Sequence, residues 1–523
     1  MPENPITVKW YEVDKEISAK ELAVDKEHVF QVQREAIPLV FVPGLMGSRL
    51  RAGPRGKSAG LPNKRWDPSH PYVWLWPKYG SCNPAYRKRM LIGDHFDPGF
   101  LEVINEKPPK GYIGDGFDGI MGDYCDFLNL LKANNWGPLG KIFEFPVYAV
   151  GYNWTDDNEK SGILLAARIV EIIAEAKAVT GLCEKVILIT HSMGGLVARA
   201  ASKLSQAESL ILGIIHGVQP ATGAPAAYWR MKAGFEGEKK DKTSDTLGGS
   251  GPHVTAIFAN SPAVLELLPN LNYRADEEKK EQKQWLPVMI NGKKELLPKK
   301  NPYLEIYNFW AEVRPDEGSE KSVNKYWALV DPALLDPQEP NPKSAKGAEK
   351  LNVENPPTHV FREYLDHLFD AAEFHRRLGK YAHPKTFCFR GTGKSGKNQT
   401  ANVIKWELKS GWPEKEEHYL TRGFVGYYRD KDGKPMQAVL KYPAGKGDGT
   451  VPYSSAGPGA LDITDKPPIP DHAEFPVDHQ PAYQNPDVQK YTIKAIIALC
   501  KCRYDEVNPK KNDSQATPSP GVQ

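Results

Sequence analysis

Apolar and polar positions follow two regimes along this chain. The first part alternates short continuous apolar runs with stretches of helical spacing. Ile37-Pro-Leu-Val-Phe-Val-Pro-Gly44 is an apolar run ended by Pro-Gly, the pattern of a buried strand entering a tight loop. Residues 123–132 predict a helix and 143–150 a strand. Between Ser161 and Thr180, apolar residues recur at Ile163, Ala166, Ala167, Val170, Ile173, Ala174 and Ala178. That spacing predicts a helix, with Gly181 at its C-terminal cap. Residues 184–190 read as a strand, 194–204 as a helix and 209–215 as a further strand. Strand and helix in strict alternation are the mark of a parallel sheet with crossover helices, so the fold class is α/β.

From about residue 219 to 384 the alternation breaks down. Lys-rich and Pro-rich runs such as Glu277-Glu-Lys-Lys-Glu-Gln-Lys separate short helical pieces, as expected of an inserted cap or lid. Sheet-like sequence returns at Lys385-Thr-Phe-Cys-Phe-Arg and again over 436–442, and a last helix is expected over 487–500. The expected organisation is a lead-in over 1–35, core over 36–218, cap over 219–384, core again over 385–505 and a disordered tail over 506–523. Residues 52–120 are rich in Pro, Gly, Trp and Tyr without periodicity and read as a long surface excursion. No internal repeat is present.

Composition narrows the function classes. The 523 residues are 40% hydrophobic and 25% charged, which is the balance of a globular protein. Lys plus Arg number 68 against 65 Asp plus Glu, and that near-neutrality excludes the basic footprint of a nucleic-acid binder. Six scattered cysteines make no disulfide framework, and Cys500 and Cys502 have no zinc spacing. The N-terminus lacks a charged stretch followed by an apolar one, so no signal peptide is expected. No apolar run approaches the ~18 residues of a membrane span. The expected place of synthesis is the cytoplasm, with carriage elsewhere left to other machinery.

Candidate chemistry sits at the ends of the predicted strands. Strand 184–190 delivers Thr190-His-Ser-Met-Gly194 directly into a helix. A serine needs an exposed perch beside a base to act as nucleophile. A strand-to-helix turn supplies the perch and aims the Met193 amide at a developing oxyanion. Ser192 is therefore the candidate nucleophile, although the same residue could simply cap the helix. Thr190 stands where glycine is usual. Val42-Pro-Gly-Leu-Met-Gly-Ser48, after the first strand, supplies a second candidate oxyanion donor at Met46, with Leu45 next. Gly447-Asp-Gly-Thr-Val-Pro452 offers Asp448 as the acid that orients a histidine, or equally an ordinary Asp-Gly turn. The order Ser, acid, His leaves His479 as base, with His472 as second choice. Gly114–Asp123 clusters acids without EF-hand spacing and reads as a solvated loop. The aromatic run Tyr72-Val-Trp-Leu-Trp-Pro reads as packing against core or cap.

Taken together, these motifs resemble the lecithin–cholesterol acyltransferase and lysosomal phospholipase branch of the α/β-hydrolases, and related bacterial lipases. The resemblance rests on Pro43-Gly-Leu-Met-Gly-Ser-Arg-Leu50, Tyr152-Asn-Trp154, His-Ser-Met-Gly-Gly, Gly223-Ala-Pro225 and Gly-Asp-Gly-Thr-Val-Pro. They stand in the family's order, while 226–380 aligns with nothing. Thr190 replaces a glycine and Asn153 an aspartate. The resemblance implies an α/β-hydrolase fold with a large cap and a catalytic triad of Ser192, Asp448 and His479. It places the oxyanion donors at Met46 and Met193 and requires no metal or cofactor. It implies a lipid or phospholipid substrate met at a membrane surface, with acyl transfer, soluble-ester hydrolysis or a non-catalytic binding role as alternatives. With no export signal and no disulfides, it points to the antibacterial phospholipase effectors of type VI secretion. Those imply secretion machinery, an immunity protein and delivery into a target cell's periplasm.

Overall fold

The computed structural model describes residues 6–9, 30–59, 63–67, 83–93, 96–97, 99–104, 119–235, 248–275, 283–290, 293–308, 326–330, 334–337, 358–393, 405–410, 425–429, 434–441, 445–463 and 472–508. Six strands form the central sheet: β1 (Leu39–Val42), β2 (Val147–Ala149), β3 (Val186–His191), β4 (Ile211–Gly217), β5 (Thr386–Gly391) and β6 (His472–Phe475). They lie in the order β6-β5-β4-β3-β1-β2, every neighbouring pair parallel. Every residue of β1, β3, β4 and β5 is buried, which explains their predominantly apolar sequence: this parallel sheet is covered on both faces.

Successive side chains of a strand point to opposite faces, and the core divides accordingly. Val40, Val42, Leu188 and Ile214 face α1 (Asn158–Thr180) and α2 (Gly194–Lys203). Leu39, Phe41, Ile187, Ile189 and Ile215 face the helix Cys125–Ala133 and the terminal helix, called α5 below, Pro486–Val507. Asp157 caps α1 by accepting the amides of Glu159 and Lys160, and Asn485 caps α5 in the same way.

Three expectations are corrected. The helix over 161–180 is present, but the buried face is Ser161, Gly162, Leu165, Ile169, Ile172 and Ala176. Ile163, Leu164 and Val170, by contrast, are each more than half exposed. Gly162 belongs to that face because α1 packs so closely on α2 there that a Cβ at Gly162 would lie 2.8 Å from that of Ala200. The stretch 52–120 is no mere surface excursion. Where described, it forms the antiparallel strands Lys64–Trp66, Leu50–Ala52 and Leu101–Val103 and the helix Pro84–Leu91. Trp66, Met90, Leu91 and Leu101 join the core beside α1 and α2; strands of three residues are too short to leave a period. Third, the run at 436–442 is the strand Pro435–Lys441 of a separate antiparallel sheet with Lys405–Ser410 and Val425–Arg429. That sheet meets the cap, where Trp406 donates its indole N–H to the Tyr228 hydroxyl.

The cap region supplies α3 (Pro225–Ala233), the hairpin Leu286–Ile290 with Lys293–Leu297, and a long helix α4 (Thr358–Leu378) in place of short pieces only. Its Tyr228, Trp285, Tyr303, Tyr307 and Tyr364 are buried in the same cluster as Leu188 and Ile214. Residues 72–77, 114–118, most of the lead-in and 509–523 lie outside the described residues. Among the described residues, no helix is long and apolar enough to cross a membrane.

One ion pair ties the two ends of the fold. Arg503 on α5 meets Glu35 at 2.8 Å, with only 8% and 1% of the side chains exposed. Removing one partner of such a pair strands a charge in the core, whereas removing both does not. Arg503→Met is therefore expected to lose about 3–5 kcal/mol in denaturant unfolding, and Glu35→Leu/Arg503→Met to recover most of it. A double variant no more stable than the single one would contradict this.

Candidate active site

The site is assembled where the parallel strands end. Ser192 follows β3 with φ 53°, a left-handed conformation that a residue with a side chain adopts only when its surroundings impose it. Here they do: the Ser192 amide donates to Gly217 O at 2.9 Å, and α2 starts two residues on. The turn also needs glycine on both sides of its contact with the first loop. A Cβ at Gly194 would fall 2.4 Å from Pro43 O, and one at Gly44 would fall 2.9 Å from Ser192 Cβ. The Ser192 turn and the loop after β1 are thus pressed backbone to backbone.

That loop closes with Gly47 N donating to Gly44 O at 2.9 Å. It is pinned by Trp66 Nε1 on Met46 O at 3.0 Å and by the Tyr152 hydroxyl on Pro43 O at 3.0 Å. Met46 has φ 60°. Among the described residues, neither the Met46 nor the Met193 amide donates to a protein acceptor.

Asp448, 2% exposed, sits in a loop closed by the bridge between Gly447 and Pro452. Its Oδ1 accepts the amides of Thr450 at 3.0 Å and Val451 at 2.7 Å, which aims Oδ2 at His479 Nδ1, 2.7 Å away. The His479 amide donates to Asp448 O at 2.9 Å, so backbone and side chain fix the two residues together. His479 Nε2 lies 2.8 Å from Ser192 Oγ. A carboxylate only accepts, so Nδ1 carries the proton and Nε2 is left to accept from the serine hydroxyl. The structure therefore brings Ser192, His479 and Asp448 into one hydrogen-bonded line. His472 is not part of it: it is exposed on the edge strand β6.

Both departures from the family pattern have local causes. Thr190 is fully buried, and its hydroxyl meets His216 Nδ1 at 3.0 Å, a partner that glycine could not supply. Asn153 Oδ1 accepts the Thr155 amide at 3.2 Å and its hydroxyl at 2.8 Å, which is the acceptor work of an aspartate. Burial pushes the imidazoles of His191 and His216 down to about 3, so both are neutral. Tyr124, which the sequence reading did not single out, bonds to His191 Nδ1 at 3.0 Å from 67 positions away. Among the described residues, no cluster of three or more His, Cys, Asp or Glu side chains could hold a metal.

Two comparisons with known proteins bear on the fold. The PGAP1-like alpha/beta domain family matches residues 163–238, which run from within α1 through the Ser192 turn to beyond α3. A chain from the crystal structure of the Tle4–Tli4 complex superposes with a TM-score of 0.64 and 23% identity, covering 90% of this chain and 99% of that one. More distant are the Bacillus licheniformis lipase BlEst2 in mature form and the phospholipase PlaB from Legionella pneumophila. The first has a TM-score of 0.18 at 18% identity, over 42% of this chain and 54% of that one. The second has a TM-score of 0.17 at 13% identity, over 65% and 79%. No curated protein matches in sequence. The chain has the α/β-hydrolase fold.

Thr190→Val keeps the shape of the side chain and leaves His216 Nδ1 buried without its partner. Its expected penalty is about 1–3 kcal/mol in chemical denaturation. Wild-type stability in Thr190→Val would show that the hydroxyl is dispensable.

Proposed function

We propose that this chain is a serine-dependent lipid ester hydrolase of the lipase or phospholipase A type. The observation that carries the reading is the line Ser192–His479–Asp448, with both hydrogen bonds at 2.8 Å or less, set beside two uncommitted amides. In this reading His479 Nε2 takes the Ser192 proton as Oγ attacks the ester carbonyl. Asp448 holds the imidazole in the required tautomer and stabilises the imidazolium. The Met46 and Met193 amides receive the oxyanion of the tetrahedral intermediate. His479 then protonates the leaving alcohol, and water, deprotonated by the same imidazole, releases the acid from the acyl-enzyme.

The lipid substrate is supported by the ordered motifs shared with the lecithin–cholesterol acyltransferase and lysosomal phospholipase branch. It is also supported by a cap whose buried aromatic residues join the apolar cluster that contains Met193. Delivery by type VI secretion into a target cell's periplasm, with an immunity protein held by the producer, belongs to the same proposal. It is in keeping with a structural neighbour that was solved as a two-protein complex.

The test is product analysis by mass spectrometry on mixed phospholipid vesicles. Wild type should release fatty acid and lysophospholipid. Ser192→Ala should lower turnover by on the order of 10⁴–10⁶-fold while unfolding at the same denaturant concentration. Retained turnover in the folded variant refutes the role of Ser192. Hydrolysis confined to short soluble esters refutes the lipid substrate.

A further inference from the structure

His191 lies beside the nucleophile, but its side chain points away from the reaction. Its Nε2 lies 3.0 Å from the backbone oxygen of His479, and its Nδ1 lies 3.0 Å from the Tyr124 hydroxyl. The Gly44 amide in turn donates to that hydroxyl at 3.4 Å. The direction of every bond in this chain is fixed. A carbonyl only accepts, so His191 Nε2 carries the ring proton and Nδ1 accepts. Tyr124 must then donate to Nδ1, which leaves its oxygen free to accept from Gly44. The tautomer is stable because burial keeps His191 uncharged, and burial also pushes the Tyr124 phenol up, so it stays a hydroxyl.

We infer that His191 and Tyr124 are positioning residues that couple the oxyanion loop to the base. Through them the first amide of the Gly44–Gly47 loop and the carbonyl of the His479 residue are the two ends of one directed hydrogen-bond chain. The inference rests on the proposed serine hydrolase reading and extends it. Packing supports the same assignment. A Cβ at Gly44 would lie 2.8 Å from His191 Nδ1, so the loop is shaped around this ring. The His191 ring also sits 5.4 Å from that of Tyr124 and 5.1 Å from that of His479, between the two partners it joins. Loop and base come from chain segments more than 400 residues apart, and each is independently fastened on its far side by Trp66 or Asp448. The chain through His191 sets the distance between them, on which oxyanion and proton transfer both depend.

Tyr124→Phe removes one oxygen and is the least disruptive test. Its kcat on vesicle phospholipid should fall about tenfold, as for ~1.4 kcal/mol of lost transition-state positioning, with KM within about twofold of wild type. His191→Leu should lose at least as much. His191→Gln, which keeps an N–H near the Nε2 position, should recover rate relative to His191→Leu. Tyr124→Phe/His191→Leu should be little worse than His191→Leu alone, because the chain is already broken. Wild-type kcat in Tyr124→Phe, equal kcat in His191→Gln and His191→Leu, or additive losses in the double variant would overturn the inference while leaving the hydrolase reading intact. If His191→Leu does not fold, Tyr124→Phe decides alone. Absence of ester hydrolysis by wild type would instead refute the hydrolase reading, and the coupling with it.

Discussion

Strand β3 is hydrogen-bonded on both sides, and the position of the candidate site is set by where that pairing stops. Against β1 it ends at Thr190 and Val42, and against β4 at His191 and Gly217. Beyond those residues the chain must turn, and the two neighbours hold it tightly enough to impose φ 53° on Ser192. Because all six strands run the same way, their C-terminal ends meet along one edge. The end of β1 becomes the Gly44–Gly47 loop. The end of β5 brings Gly391 within contact of Asp448, and the segment after β6 carries His479. Parallel pairing thus converts distant sequence positions into a site a few ångströms across.

The cap shares its foundations with this arrangement. Tyr228 on α3 donates to Trp327 O at 2.7 Å and accepts from Trp406, so the insertion and the separate three-stranded sheet are joined by a buried polar bond. Arg199 on α2 is fully buried and donates to Tyr381 O at 2.7 Å and Gly379 O at 2.8 Å, just past the end of α4. A cation at a helix C-terminus is favourable, and here it fastens the helix that follows Ser192 to the last helix of the cap.

The sheet was legible because buried parallel strands are written as continuous apolar runs, as in Val186–His191 and Ile211–Gly217. The Ser192, Asp448 and His479 positions were legible from turn chemistry and chain order. What escaped the sequence is what depends on long-range packing. Ile163 and Val170 on α1 stand at helical spacing and yet are exposed, because the buried face is Ser161, Gly162, Leu165, Ile169, Ile172 and Ala176. Tyr124 carries no local mark of its contact with His191. The acceptor roles that explain Thr190 and Asn153 appear only once their partners are in place.

The buried guanidinium of Arg199 has a consequence for how such a molecule can evolve or be engineered. An insertion attached only at its two chain crossings could be exchanged between relatives as a cassette. A replacement that lacked the Gly379 and Tyr381 carbonyls would leave the Arg199 cation buried without its acceptors, on the helix that follows Ser192. Transplanting a different cap would require rebuilding α2 as well. The packing of the insertion and the stability of the Ser192 turn are therefore inherited together.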